Sequence, residues 1–265
     1  MKAKVAAATT CLAVFVCAAV ATAGGLFEGA AGVGDPYYPK MGNTGYDVQA
    51  YDVRLYYKRS GKVQSKTVIE AVADTDDGAS SAGAPIRRFD LDFRGPRIRG
   101  LNVNGEAASF IRQGQELVID PATPIADSQP FEVAVHYKGR PKQVANPDGS
   151  RDGWTYTQDG ALALGEPQQT PSWAPVNDHP TDKATWRLRL RTPRALTGIS
   201  NGEYVGKTQS GRHTTTEWAQ DEPMASYLAL AAIGEFRVDK GEVAGLPYVG
   251  AVDRNLGESV VDDLR

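Results

Sequence analysis

The chain has two cysteines in 265 residues, Cys11 and Cys17, and none after residue 17. That shortage excludes a disulfide framework or a cysteine metal site for everything downstream, so the fold has to rest on an ordinary apolar core. Histidine is nearly as scarce. His136, His179 and His213 are the whole supply; no two lie four residues apart and none is followed by Glu, so the helical His-Glu-x-x-His zinc motif is absent. No Gly-x-Gly-x-x-Gly or Walker loop offers a phosphate cradle, and no Gly-x-Ser-x-Gly elbow offers an activated serine. A basic excess is missing too. With net charge −3 and pI near 5.7, the composition predicts neither nucleic acid nor an anionic membrane as partner.

What is present begins with a leader. Lys2 and Lys4 precede an apolar run from Val5 to Val20, and Ala21-Thr22-Ala23 supplies a small-x-small site before Gly24. The run is shorter than the ~20 residues that span a bilayer, so residues 1–23 read as a signal peptide, in a helical form, rather than a stable membrane anchor. Secretion by a bacterial export route is the expected localisation. Residues 24–45 are rich in Gly and Pro without periodicity and read as an irregular lead-in.

From Tyr46 the pattern has period two. Tyr51, Val53, Leu55 and Tyr57 share one face while Asp52 and Arg54 take the other, and the same alternation recurs in Phe89-Asp90-Leu91-Asp92-Phe93 and in Phe131 to Tyr137. Strands are predicted near 62–73, 88–94, 98–104, 116–120, 131–138 and 185–191. Asn104-Gly105 is the strongest hairpin signal, since a type I′ turn needs positive φ at both centres. Ser60-Gly61, Asp77-Gly78, Asp148-Gly149 and Ser210-Gly211 punctuate similarly. Short strands with turns and no helical period between them predict an all-β fold, an antiparallel multi-sheet sandwich or saddle, and disfavour βαβ units. Residues 140–158 read as a polar loop whose Trp154 and Tyr156 plug it onto the core. His136 reads as solvated, His179 as shaping its loop and His213 as part of a polar turn.

Residues 160–193 hold the most specific stretch. Glu166 sits between Gly165 and Pro167, a stiff turn on no regular element. The segment 165–186 resembles the junction found in zinc aminopeptidases of the aminopeptidase N (gluzincin) family, where a Gln-x-Glu-Pro turn leads to Phe-Pro-Cys-x-Asp-Glu-Pro and a strand start. Here Glu166-Pro167, Ala174-Pro175-Val176-Asn177-Asp178-His179-Pro180 and Lys183-Ala184-Thr185-Trp186 take those places. Tyr46-Asp47-Val48, Leu91-Asp92-Phe93, Val103-Asn104-Gly105, Val135-His136-Tyr137-Lys138-Gly139 and Ser200-Asn201-Gly202 follow the family's order as well. Leu164 replaces the usual Gln, and Val176 stands in the Cys place.

The resemblance implies an aminopeptidase N-like N-terminal β domain over 46–254, with 255–265 as the helical start of a catalytic domain that is missing here. It also implies Glu166 as the ligand of a peptide's free α-amino group, with zinc belonging to the intact parent enzyme and neither a catalytic residue nor a metal ligand in this stretch. The partners implied are peptide substrates with free N-termini and the missing catalytic domain. The resemblance also implies a strand across Tyr227-Leu228 to Phe236 in the ambiguous segment 224–238, and Gly245 to Val249 reads as a further strand. The rival reading is a secreted β-sandwich binding or adhesion module in which Trp154, Tyr156 and Trp173 form a ligand surface.

Overall fold

The computed structural model describes residues 25–76, 82–145 and 149–256. The signal helix over 1–23, the Asp77-Gly78 turn, Asp148 and the helix expected after Glu258 lie outside the described residues. In chain order the strands are β1 (Phe27–Glu28), β2 (Gly45–Tyr57), β3 (Val63–Asp74), β4 (Ile86–Asp92), β5 (Arg97–Val103), β6 (Glu106–Ala107), β7 (Ser109–Gln113), β8 (Glu116–Asp120), β9 (Pro130–Gly139), β10 (Gln143–Ala145), β11 (Arg151–Tyr156), β12 (Ala161–Leu164), β13 (Lys183–Pro193), β14 (Thr197–Ile199), β15 (Glu203–Ser210), β16 (His213–Ala225), β17 (Ala231–Gly234), β18 (Phe236–Val243) and β19 (Leu246–Asp253). Two 3₁₀ turns, Thr170–Ser172 and Ser226–Leu228, complete the set.

The strands form an eight-stranded sheet in the order β15-β16-β13-β2-β3-β9-β5-β6, a five-stranded sheet β10-β11-β12-β17-β14, a four-stranded sheet β1-β4-β8-β7 and the β18-β19 ribbon. The alternation read in the sequence sets which face is inside. Tyr51, Val53, Leu55 and Tyr57 of β2 and Trp186, Leu188 and Leu190 of β13 are buried. The inner face of the large sheet covers both smaller ones: Tyr46 meets Phe89 of the four-stranded sheet at 5.6 Å between ring centroids, and Tyr57 meets Trp154 of the five-stranded sheet at 6.3 Å. All three sheets therefore share one apolar core.

The antiparallel expectation fails at two pairs. β13 runs parallel to β2 and β1 runs parallel to β4. A parallel pair needs a crossover, and the stretch from β3 through the Thr170–Ser172 turn supplies it between β2 and β13, with no α-helix among the described residues. The pair is locked where Trp186 stacks on its register partner Tyr51, with ring centroids 4.2 Å apart, a contact worth about 0.5–1.5 kcal/mol beyond area burial.

Other boundaries shift. The lead-in contains β1, the supposed loop at 140–158 contains β10 and β11, and His213 opens β16 after a Gly211-Arg212 turn. The strand expected from Tyr227 to Phe236 is broken: Ser226–Leu228 is a 3₁₀ turn, β17 joins the five-stranded sheet, and Phe236 starts the ribbon. Gly234 lies at that break.

The Asn104-Gly105 turn forms as read, with φ of 51° and 81° joining β5 to β6. A Cβ on Gly105 would meet nothing within 4 Å, so Gly105→Ala costs only backbone strain, about 1–2 kcal/mol. A lower urea midpoint with an unchanged slope is the expected readout.

Candidate functional site

Glu166 stands where β12 leaves the five-stranded sheet. β12 pairs with β11 on one side and β17 on the other. Gly165 then takes φ of 145°, and a Cβ there would lie 2.8 Å from the Asp152 side chain. Glycine is required on both counts. The Glu166-Pro167 peptide is cis. Glu166 is exposed, as are Leu164 (53%) and Leu228 (45%) nearby in the chain and on the stapled turn respectively.

Past Pro167 the chain turns inward, and residues 168–179 are all buried. Their polar groups are satisfied inside. Gln169 Nε2 donates to Tyr227 O at 3.0 Å and also to Ala229 O, and Thr170 Oγ1 donates to Ser226 O at 2.7 Å. These bonds staple the loop to the Ser226–Leu228 turn. Trp173 Nε1 donates to Gln169 Oε1 at 3.1 Å, Arg94 Nη2 to Gln168 Oε1 at 2.7 Å, and the Trp154 amide to Ser172 Oγ at 3.2 Å. Glu166 is thus an exposed carboxylate on a loop fixed from beneath, with few rotatable supports to order on binding.

Behind the loop lies a group of buried acids that the sequence reading passed over. Asp92 Oδ2 accepts from the Asp178 amide at 2.9 Å and from Asn43 Nδ2 at 3.0 Å. Asp178 Oδ1 accepts from Ser226 Oγ at 2.6 Å, and Asp182 accepts from Asn177 Nδ2 and the Val48 amide. Burial pushes Asp178 and Asp182 up to about 7, and it holds Asp92 well above the usual carboxylate range, with Asp178 and Glu116 adding repulsion. Glu116 is also raised to about 7 and Asp90 to about 6, again chiefly by burial. Asp92 and Asp178 sit in the matched blocks and Asp182 falls between two of them; the Leu91-Asp92-Phe93 alternation places Asp92 on the solvent side. Asp92 is instead covered by the loop that Val176 pins to it through paired backbone bonds of 2.8 and 3.1 Å.

The histidines do not converge. His136 is exposed on β9, His179 is held by Thr181 Oγ1 at 2.7 Å and faces Asp35 at 3.4 Å, and His213 bonds the Tyr56 hydroxyl at 2.7 Å. Among the described residues no three His, Cys, Asp or Glu are placed to hold a metal ion. These side chains do not fit a zinc centre. Trp154 and Trp173 are 1% and 0% exposed, so they pack the core, and the aromatic ligand surface of the rival reading does not form.

Residues 97–228 match the Peptidase M1 N-terminal domain. Among solved structures, the chain is similar to the M1 zinc metallopeptidase from Deinococcus radiodurans, with TM-score 0.70 and 25% identity over 80% of this chain and 47% of that one. A mutant of M1 zinc metallopeptidase from Deinococcus radiodurans bound to a Tyr-Ser-Ala substrate aligns with TM-score 0.74 and 24% identity, covering 86% and 52%. The chain spans about half the length of these structures. No curated protein matches it in sequence.

Proposed function

The chain belongs to the Peptidase M1 N-terminal domain family, and we propose that it forms the substrate-amine side of the cleft of an exported zinc-dependent aminopeptidase. Glu166 is the group that takes the protonated α-amino end of a peptide. The carrying observation is its placement: an exposed carboxylate at the tip of a loop that is buried from Gln168 onward. A fixed carboxylate balances a terminal ammonium, whereas an internal amide brings no charge to it, so cutting is confined to the free amino end.

The zinc ion and the groups that activate water are contributed by a catalytic domain, since this chain carries no His-Glu-x-x-His. Export is supported by the Lys2/Lys4 leader and its small-x-small site. The chain's own part is binding and orientation: Gly165 sets the angle at which Glu166 projects, and the Gln169 and Thr170 bonds to the Ser226–Leu228 turn keep it there.

A hydrogen bond to a charged partner contributes about 1.5–3 kcal/mol. In the protein joined to its catalytic domain, Glu166→Gln is therefore expected to lower kcat/KM for aminoacyl anilides by about 10- to 100-fold while leaving zinc content unchanged. An undiminished kcat/KM in that variant, or equal turnover of N-acetylated substrates by the unaltered enzyme, would remove Glu166 from this role.

A further inference from the structure

The outer face of the eight-stranded sheet is polarised in a way the net charge conceals. Following the register across the sheet, Arg189 of β13 lies beside Arg54 of β2, Arg54 beside Lys66 of β3, and Lys66 beside His136 of β9. Two residues along, Arg191 is level with Tyr56, Gln64, Lys138 and Arg97. Toward the other end of the same face, Glu70 and Glu132 are paired. Cations therefore occupy one half of the face.

Anions within that half are already committed. Asp52 is bound by Arg54 at 2.8 Å and Arg189 at 2.6 Å, and Glu217 by Arg187 at 3.0 Å and Arg189 at 3.1 Å. Lys66, Arg99, Lys138 and Arg191 have no ion pair among the described residues. With His136 they line a groove of about 590 Å³.

We propose that this groove is a docking site for an extended phosphate-bearing polyanion laid across the strands from β13 to β5. Neighbouring strands are about 4.8 Å apart, so five of them span roughly 19 Å. The cations are spread along that span rather than converging on a point, which suits a chain of charges and not a single small anion. The face offers side chains and no open backbone edge. An acidic peptide has nothing to pair its backbone with there, and in extended form places acids on one side only every ~6.6 Å. A phosphate polymer carries its charge continuously, and the Arg forks at Arg99 and Arg191 match its oxygens. Bases are not read. Tyr56, the one aromatic ring in the row, is already covered by Arg191 at 5.0 Å and bonded to His213.

The test uses the full chain and fluorescently labelled inorganic polyphosphate, followed by anisotropy. Binding that weakens steeply with added salt is expected, and the double charge reversal K66E/K138E should reduce affinity at least tenfold. Both side chains point outward, so the melting temperature of the variant should match that of the unaltered chain, and Arg254→Glu, in the turn after β19 and outside the groove lining, should bind as the unaltered chain does. Equal binding by K66E/K138E overturns the proposal. So does single-stranded DNA binding tenfold tighter than polyphosphate, which would mean that bases are recognised, or binding to anionic phospholipid vesicles with none to polyphosphate, which would mean a membrane surface.

Discussion

Trp173→Ala is expected to destabilise the chain by about 3–5 kcal/mol, the range for deleting a buried large aromatic. Trp173 is fully buried beside Trp154, with ring centroids 6.5 Å apart. Two losses act together. The first is the cavity between the loop and the five-stranded sheet. The second is the bond from Trp173 Nε1 to Gln169 Oε1, whose removal leaves a buried acceptor without its donor at about 1–3 kcal/mol. Gln169 is also the residue whose Nε2 staples the loop to Tyr227 O and Ala229 O, so the damage reaches the support of Glu166. Trp173→Phe keeps most of the ring volume and loses the bond, and should cost less than Trp173→Ala. Urea unfolding of the three proteins checks the order, and proteolysis at the loop should accelerate in the same order. A Trp173→Ala midpoint equal to that of the unaltered chain would show that the loop is held without this ring.

Sheet order and site were legible to different depths because they depend on different ranges of interaction. Strands such as β2, β9 and β13 announce themselves locally, since one buried face enforces period two on each. The Asn104-Gly105 turn is equally local. Nothing local distinguishes a parallel from an antiparallel neighbour, and so the β2-β13 pair was missed. The segment 140–158 hid two strands because β10 is a three-residue edge strand and the six residues of β11, RDGWTY, show no clean alternation. Segment 224–238 was hard for the opposite reason: its β17 stretch, Ala231–Gly234, is buried at every position and carries no period. The Glu166 turn was visible only through Gly165 and Pro167 and a family resemblance, and the acids behind it were not visible at all. Burial of Asp92 is decided by a loop more than eighty residues away. The cationic groove was hidden by the balance of total charge, because Arg54, Lys66, Lys138 and Arg189 come from four separate strands.

Those buried acids give the chain an inverted pH dependence. A carboxyl whose pKa is higher folded than unfolded keeps its proton in the folded chain over a window in which the unfolded chain releases it. The folded state then binds more protons, and stability falls as pH rises through that window. For Asp178, Asp182 and Glu116 the window runs from the unfolded range near 4 to about 7, and for Asp90 to about 6. Asp35, Asp52, Asp127 and Glu217 are lowered instead, by hydrogen bonds and by neighbouring arginines, so their contribution is lost only on going below about pH 4. Together these groups place maximal stability near pH 4–5, with stability falling as the pH rises from there toward 8. Glu116 isolates the cause. It is 6% exposed, and neither carboxylate oxygen has a well-formed hydrogen bond, so Glu116→Gln removes a charge with little other change than at its Gln115 neighbour. Relative to the unaltered chain, the variant should gain stability between pH 5 and pH 8, measured by urea unfolding at each pH. Asp178 and Asp182 belong to the loop itself, and ionising them weakens the base on which the Glu166 turn is set, so that turn should exchange its amide protons faster at pH 8 than the intrinsic rate increase accounts for. A stability that climbs steadily from pH 5 to pH 8 would mean that these carboxyls are ionised and matched by charges in the folded chain.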